Sequence, residues 1–317
     1  MSTGHSSLIT HHFLGIDIGG TKTIIAVAGD DGNILAQDRI STPREQGPAA
    51  VLSAIERAAR RLLDRSSLLT PPSSSLRAVG LGCGGPLDPQ SGVILTVPNL
   101  PGWEDLPLAD YFSKALGVPA YLDNDVNLAA LAEARKGAGV GVDHLAYFNI
   151  GTGIGGGIVI GGKLYRGCGN AGEFGHQVIL PDGPPCLCGK HGCLESLASG
   201  TSIARRARES GLEATAEEVA QAARAGDELA RRIMSETAEY LGLGVANVVN
   251  ILNPRMVIMG GGVMKAADLL LDGIRKTVAA RAMTRLAEDA AIVPGMLGDQ
   301  AGIIGAILLA IEQSAPH

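Results

Sequence analysis

Apolar runs separated by short turns mark the first part of the chain. The first run ends at Ile18, a tight turn follows at Gly19–Thr21, and β-branched residues indicate a returning strand over Thr23–Ala28. Further on, apolar residues recur at helical spacing over 47–65, which predicts an amphipathic helix. The hydrophobic pattern thus indicates strands and helices mixed along the chain, as in an α/β protein.

A second strand–turn–strand pattern lies in the segment A-Y-F-N-I-G-T-G-I-G-G-G-I-V-I, whose turn is Gly151–Gly153. Its glycine spacing fits the dinucleotide-binding fingerprint, but that fingerprint needs a helix after the glycines, and here a strand follows. The segment instead repeats the pattern around Ile18. The repeat predicts two similar halves facing one another across a cleft, with two turns whose backbone N–H groups can hold a chain of phosphates.

Helical patterns dominate the rest of the chain. A short helix is predicted near 107–116, three helices over most of 200–250, and a final helix over Gly302–Gln313. Between the last two regions, a buried strand ends in Gly260–Gly262. A glycine turn after an apolar strand lets a flat ring lie against the backbone, which is compatible with a nucleoside pocket.

Composition limits the class of protein. The 317 residues are enough for two domains with their own cores, and 46% of them are hydrophobic. Only 3% are aromatic and the net charge is −6, which argues against nucleic-acid partners. No apolar run is long enough to predict a membrane span, and the residues before the first strand lack the pattern of a signal peptide, so none is expected. The cysteine content fits a reducing compartment, so a cytoplasmic protein is expected.

A cysteine-rich loop supplies the first candidate chemistry. Three of the five cysteines, Cys186, Cys188 and Cys193, fall in a Gly/Pro loop with no core of its own. Thiolate and imidazole are preferred zinc ligands, and His176 or His191 would complete a tetrahedral site. Two acids flank the loop, and a metal that holds the loop would also fix these carboxylates in space. They are Glu173 and Glu195.

Acidic residues at strand ends supply the second candidate chemistry. Asp17 ends the first strand, where it forms a local turn or helps to hold a Mg²⁺–phosphate together with the amides and ammonium of Gly19–Lys22. Asp123, Asn124 and Asp125 precede a helix that stops at Gly137. One of the three is expected to cap the helix. A carboxylate at such a junction is also placed to act as a base on a bound hydroxyl.

These motifs resemble the sugar kinases of the ROK family, within the actin-like, ribonuclease-H-like ATPase superfamily. The resemblance runs from Leu14 to Ala310 and is carried by D-I-G-G-T-K-T, N-I-G-T-G, G-N-A-G-E-F-G-H, C-x-C-G-x-x-G-C-x-E and V-I-M-G-G-G-V. It implies an α/β fold with two ribonuclease-H-like (actin-like ATPase) domains flanking an interdomain cleft, with a zinc-bound loop. The smaller N-terminal domain would cover 1–122, joined by the C-terminal helix at about 302–317. The larger domain, 123–301, would carry the zinc loop and nucleotide pocket.

The resemblance also implies roles for single residues. Asp125 matches the catalytic base. The positions matching sugar ligands are Asn124, Glu173, His176, Glu195, Asn99 and Gly85. The positions expected to contact Mg²⁺–ATP are Asp17, Gly19, Gly20, Thr21, Lys22, Gly151, Thr152, Gly153, Gly261 and Gly262. The positions matching zinc ligands are His176, Cys186, Cys188 and Cys193, which favours His176 over His191 and gives its two ring nitrogens separate tasks.

The expected activity is that of a hexokinase-type phosphotransferase, most simply a glucokinase that converts glucose and ATP to glucose 6-phosphate and ADP. Its cofactors would be ATP, Mg²⁺ and a structural Zn²⁺, and a homodimer or homotetramer would be ordinary for the family. A kinase for N-acetylglucosamine or N-acetylmannosamine is the alternative within the family. A non-catalytic sugar sensor is the alternative from another class. The thirteen residues before Leu14 are too few for a winged helix, so a repressor is not expected.

Overall fold

The computed structural model describes residues 11–66, 75–97 and 100–315 and has a mixed α/β fold with two sheet-containing units. The described part of unit 1 comprises the chain up to Ala132, together with 167–170 and 300–315. Unit 2 comprises Glu133–Arg166 and Ala171–Asp299. The fold class expected from the sequence, α/β with two sheet-containing domains, is confirmed.

Unit 1 is built on a five-stranded sheet of order β3-β2-β1-β4-β8. Its strands are β1 (His11–Ile18), β2 (Lys22–Ala28), β3 (Ile34–Ser41), β4 (Ser75–Cys83) and β8 (Ala120–Asn124). The hairpin β1–β2 and its neighbour β3 are antiparallel, whereas β1, β4 and β8 run parallel. A separate three-stranded sheet contains β5 (Leu87–Asp88), β6 (Val93–Thr96) and β7 (Glu104–Leu106).

Helices cover both faces of this sheet because alternate residues of β1 point to opposite sides. Leu14 and Ile16 belong to the core that includes Ile55, whereas Phe13 belongs to the core that includes Ile307. The helices concerned are α1 (Pro48–Ser66), α2 (Leu108–Leu116), α3, which begins at Asp125 (Asp125–Lys136), and α10 (Ala301–Ser314). The helix predictions for 47–65, 107–116 and Gly302–Gln313 are confirmed to within one residue.

Residues 123–132 belong to unit 1, although the sequence placed a domain boundary after residue 122. The reason is the packing of the first turns of α3 against α10. Leu128 is fully buried in one cluster with Ala306 and Leu309. Gly305 lies so close to the carbonyl oxygen of Leu128 that no side chain would fit there.

Unit 2 repeats the same plan around a sheet of order β11-β10-β9-β12-β13. Its strands are β9 (Leu145–Ile150), β10 (Ile154–Ile160), β11 (Lys163–Leu164), β12 (Met256–Gly260) and β13 (Ala291–Pro294). Its helices are α4 (Leu194–Ala198), α5 (Gly200–Glu209), α6 (Ala216–Ala225), α7 (Glu228–Leu252), α8 (Ala267–Arg281) and α9 (Thr284–Asp289). The hairpin β9–β10 is antiparallel and β9 runs parallel to β12, as β1 does to β4. The structure therefore confirms the internal repeat read from the sequence.

Over the described ranges, no helix has the length and apolar character needed to cross a membrane.

Candidate active site

The candidate catalytic residues of unit 1 lie at one edge of its sheet. The parallel register pairs Asp17 of β1 with Gly82 of β4, and pairs Gly82 in turn with Asp123 of β8. The carboxyl ends of the three strands therefore coincide, which is where ligands bind in open α/β sheets. Asp17 and the segment Asp123–Asp125, far apart in sequence, are brought together by this register.

Asp17 is held in a confined position. Burial, followed by repulsion from the Asp125 carboxylate, raises the pKa of Asp17 from its ordinary 3.8 to about 7, although Lys22 opposes the change. A side chain at Gly302, at the start of α10, would come within 2.7 Å of Asp17 Oδ2. A buried carboxylate crowded by a second acid is a candidate for binding a cation, because a cation relieves the cost of keeping both charged.

The turn after β1 is closed by its own backbone. Gly19 N donates to Lys22 O at 3.0 Å, and Thr42 Oγ1 donates to Gly19 O at 2.8 Å. These bonds fix the loop without using a side chain of the turn itself. The turn contains Gly20, Thr21 and Lys22, three of the predicted nucleotide contacts, and both Thr21 and Lys22 are exposed.

The three polar residues at the junction between β8 and α3 have separate structural roles. Asn124 caps α3, since its Oδ1 accepts from Val126 N at 2.9 Å and from Asn127 N at 3.4 Å. Asp123 is fully buried, and its Oδ1 accepts from Asn124 N and from Asn127 Nδ2 at 2.8 and 3.0 Å. Asp123 therefore braces the junction, while Asp125 stands at the first position of the helix.

Two further residues were predicted to contact the sugar from unit 1. Gly85 lies beside the cap, because a side chain there would come within 3.5 Å of Asn124 Nδ2. The amide nitrogen of Asn124 therefore faces Gly85 while its oxygen is committed to α3. Asn99 lies outside the described residues.

In unit 2, the turn between β9 and β10 is held by a carboxylate. Glu195, in the first turn of α4, accepts from Ile154 N through Oε2 at 2.8 Å. A side chain at Gly153 would collide with the same oxygen and displace the Glu195 carboxylate from this bond. Glu195 thus links the glycine turn to the cysteine-rich loop, a contact that the sequence did not predict.

The predicted metal ligands form a cluster. Ligand atoms of His176, Cys186, Cys188 and Cys193 all lie within 4.8 Å of one another. The Cys188 and Cys193 sulfurs are 3.7 Å apart, as are Cys186 Sγ and His176 Nδ1. Tetrahedral zinc with thiolate bonds of about 2.3 Å requires ligand separations of roughly 3.8 Å. His191, the alternative ligand, is not in the cluster.

The chemistry of the cluster also fits a cation. Burial and neighbouring thiols raise the pKa of Cys193 to about 12. Coordination offsets this cost because a metal stabilises the thiolate. The backbone around the cluster forms tight turns, with Cys186 N donating to Lys190 O at 2.7 Å and Gly189 N to Cys186 O at 2.9 Å.

The two nitrogens of His176 face different neighbours. Nδ1 faces Cys186 in the cluster, while Nε2 lies 3.8 Å from Glu173 Oε2. Glu173 is itself more than half exposed. A metal at the cluster would therefore fix the ring so that Nε2 and the carboxylate present a polar pair to a ligand.

A cavity of about 710 Å³ lies within unit 2. Three of the predicted nucleotide contacts line it, namely Gly151, Thr152 and Gly262. Gly153 and Gly261 do not, because the first packs against Glu195 and the second against the backbone of Ile150. The volume is within the range of pockets that hold a small molecule such as a nucleotide.

The opposite wall of this cavity was not predicted from the sequence. It is formed by α6 and by the turn after β12, and its polar members are Thr215, Glu217, Gln221, Arg224 and Lys265. The only local signal in this region was T-A-E-E, which is a capping box for α6. That signal predicts where a helix starts, not what the helix faces.

The family assignment follows from comparison with known proteins. The ROK family profile matches residues 13–313. The chain belongs to the ROK family.

The proteins that resemble the chain include enzymes and a regulator. A glucokinase from Halalkalibacterium halodurans is 39% identical, with 95% of each chain covered. The crystal structure of a ROK family glucokinase from Streptomyces griseus in complex with glucose and AMPPNP has a TM-score of 0.78 and 34% identity, covering 95% of this chain and 99% of that one. A xylose repressor from Caldicellulosiruptor bescii is 31% identical over 94% of this chain and 78% of the repressor.

Proposed function

We propose that this protein is an ATP-dependent sugar kinase, and specifically a glucokinase that forms glucose 6-phosphate and ADP. The observation that carries the proposal is the convergence of Asp17 and Asp125 at the carboxyl edge of one sheet, in a chain whose ROK relatives include glucokinases. Paired acids at a strand edge, one crowded enough to bind a cation, suit phosphoryl transfer from a nucleotide to a hydroxyl.

In the proposed reaction, Asp125 accepts the proton of the glucose 6-hydroxyl. The freed oxygen forms a bond to the γ-phosphorus of ATP, the bond to the β–γ bridging oxygen breaks, and ADP leaves. The position of Asp125 at the first turn of α3 supports this role, because the start of a helix favours the charged carboxylate.

The nucleotide is assigned to both glycine turns. Asp17 would help to hold Mg²⁺, and Gly19–Lys22 and Gly151–Gly153 would supply backbone amides and one ammonium. When bound, Mg²⁺ offsets the negative charge of the phosphates and their transition state. The crowding of Asp17 by Asp125 supports this assignment, since a bound cation would offset the repulsion between the two carboxylates.

The sugar is assigned to a set of polar side chains. Asn124 offers its amide nitrogen beside Gly85, while Glu173 and His176 offer a carboxylate and Nε2. Glu195 retains Oε1 after Oε2 accepts from Ile154 N. Asn99 completes the assigned set. A site built from such donors and acceptors discriminates strongly against sugars that lack a matching hydroxyl.

Zinc is assigned to the cysteine cluster as a structural ion. Its ligands would be His176 Nδ1 and the sulfurs of Cys186, Cys188 and Cys193, which leave no position for a reacting group. Zinc there would orient Glu173, His176 and Glu195 and take no part in the transfer itself.

A coupled assay that detects ADP tests the proposal. ATP would be offered with glucose, mannose, fructose, N-acetylglucosamine or N-acetylmannosamine, and the largest kcat/KM is expected with glucose. A larger value with either N-acetyl sugar would replace glucokinase by a hexosamine kinase. Sugar binding without ADP formation for any sugar would favour the sugar-sensing class, to which the resemblance to a xylose repressor also points.

A further inference from the structure

The two ends of the unit 2 cavity differ in character. At one end, Thr201 Oγ1 donates to Thr152 O at 2.8 Å and Gly200 N donates to Gly151 O at 2.8 Å, so α5 and the glycine turn form a continuous backbone surface. At the other end, Arg224 of α6 donates to Lys265 O at 3.2 Å. The cavity therefore runs from the glycine turn to the contact between α6 and Lys265.

This geometry gives a direction to a bound nucleotide. The proposed function assigns phosphates to the glycine turn Gly151–Gly153, and the further inference rests on it in this respect alone. A nucleotide with its phosphates there must extend its nucleoside toward α6 and Lys265. The groups at that end are then the ones that contact the base.

Two polar side chains at that end lack partners. The guanidinium of Arg224 is neutralised by Asp268, with contacts of 2.9 and 2.6 Å. In contrast, within residues 11–66, 75–97 and 100–315, neither the Lys265 ammonium nor the Gln221 amide forms a hydrogen bond or ion pair. Both side chains are exposed and line the cavity. Glu217 of α6 also lines the cavity, but its carboxylate can only accept hydrogen bonds, so Lys265 and Gln221 are the donors free to pair with a ligand.

Apart from Thr215 and Glu217, the rest of this end offers a base only apolar contact. Ala220, Val263 and Ala266 line it, and none of the residues that line the cavity is aromatic. A purine therefore finds no ring to stack on, and a cation near its face becomes the available electrostatic partner. An amide, with one donor group and one acceptor, matches the N6 and N7 edge of adenine.

The helix that carries Gln221 is firmly placed. Thr215 and Glu218 form a reciprocal capping box, with Thr215 N donating to Glu218 Oε2 at 2.8 Å. Val219 and Ala223 are buried on the opposite side of α6. Because these contacts fix the helix, Gln221 is presented to the cavity at a defined height along its wall.

We propose that Lys265 and Gln221 recognise the base of the bound nucleotide and select adenine over guanine. The Lys265 ammonium packs on the face of either purine, whereas the Gln221 amide pairs with the N6 and N7 edge of adenine. Guanine presents two acceptors, N7 and O6, at that edge, so the amide oxygen of Gln221 is left without a donor. Lys265 thus contributes affinity and Gln221 contributes specificity.

Calorimetric titration with ADP and GDP, without hexose, tests the inference. The wild-type protein is expected to bind ADP about tenfold more tightly than GDP. Gln221→Leu should weaken ADP binding about tenfold and leave GDP binding within about twofold of wild type. Lys265→Met should weaken both about fivefold. Lys276→Met, an exposed lysine of α8 that does not line the cavity, is the matched control and should change neither.

The outcomes separate the inference from the proposed function. ADP affinities of Gln221→Leu and Lys265→Met equal to wild type would overturn the inference, even if glucose is phosphorylated. Equal losses of ADP and GDP binding in Gln221→Leu would overturn its specificity role. The expected affinities in a protein that phosphorylates no hexose would uphold the inference and refute the kinase. Unchanged Tm values for all three variants exclude unfolding as the cause, because all three side chains are exposed.

Discussion

Asp125 is the residue on which the proposed chemistry depends most directly. Asp125→Asn keeps the size of the side chain and removes its capacity to accept a proton. A positioned base contributes about 10²–10⁴ in rate, so kcat should fall by at least about 10²-fold. Glucose binding, measured by calorimetry, should stay within about threefold of wild type, since other residues are assigned to the sugar. Asp182→Asn, an exposed acid outside the assigned residues, is the control, and turnover near the wild-type level in Asp125→Asn would exclude this residue as the base.

Asp17 predicts how the stability of the ligand-free protein depends on pH. Its pKa is 3.8 in an ordinary setting and about 7 in the folded protein, so the folded state binds the proton more tightly. The contribution of Asp17 to the free energy of unfolding is therefore fully present below about pH 4 and is lost as pH rises to about 7. The loss amounts to about 4 kcal/mol.

Urea denaturation without added Mg²⁺ or nucleotide measures this effect. Asp17→Asn mimics the protonated acid, so its free energy of unfolding should match wild type near pH 4 and exceed it at pH 8 by up to about 4 kcal/mol. Asp182→Asn should follow wild type throughout. Parallel curves for wild type and Asp17→Asn across this range would contradict the cost assigned to the buried carboxylate.

At the scale of elements, the cysteine-rich loop depends on its cluster more than on packing. The segment between His176 and Cys193 contains four-residue turns and isolated bridges, and Leu187 is fully exposed between two of the ligands. Such a loop has little apolar surface to stabilise one conformation. The cluster instead connects the loop to Glu195, which supports the glycine turn through Ile154 N.

Cys188→Ser should therefore affect the sugar far more than the nucleotide. Loss of a thiolate lowers the zinc content measured by mass spectrometry, and the KM for glucose should rise at least about tenfold because second contacts of a metal ligand are disturbed. The affinity for ADP should change by less than about threefold. Cys168→Ser, an exposed cysteine outside the cluster, should leave both values unchanged. A zinc-free Cys188→Ser protein with normal glucose KM would disprove the link between metal and sugar.

The elements themselves were largely predictable, because local patterns decide them. The helix over 47–65 and the strand ending at Ile18 follow from apolar periodicity, and the observed bounds agree closely. The predicted domain boundary after residue 122 was misplaced because Leu128 packs against α10, which lies far along the chain. No local sequence signal indicates this contact. Predictions fail where the partner of a segment lies far along the chain.

At the scale of the whole molecule, one part of the candidate site follows from a local sequence pattern, and the other parts depend on packing between distant segments. The ligand cluster was predictable because cysteine and histidine in a loop have few other uses. The proximity of Asp17 to Asp125 depends on strand register, and the wall that contains Gln221 and Lys265 depends on where α6 packs. Neither could be read from residue spacing.

Hydrogen exchange measured across the whole chain can locate both ligands, because ADP and glucose are assigned to different residues. Ordered ligand contacts raise protection of the amides they cover. ADP alone should protect peptides that cover 19–22, 151–153, 215–221 and 260–266. Glucose alone should protect peptides around 123–127 and 173–195. Peptides from α1 (Pro48–Ser66) serve as the internal control and should not change. Glucose protection confined to only one of these two segments would contradict the assignment of sugar contacts to Asn124, Glu173 and His176, whatever the turnover of the enzyme.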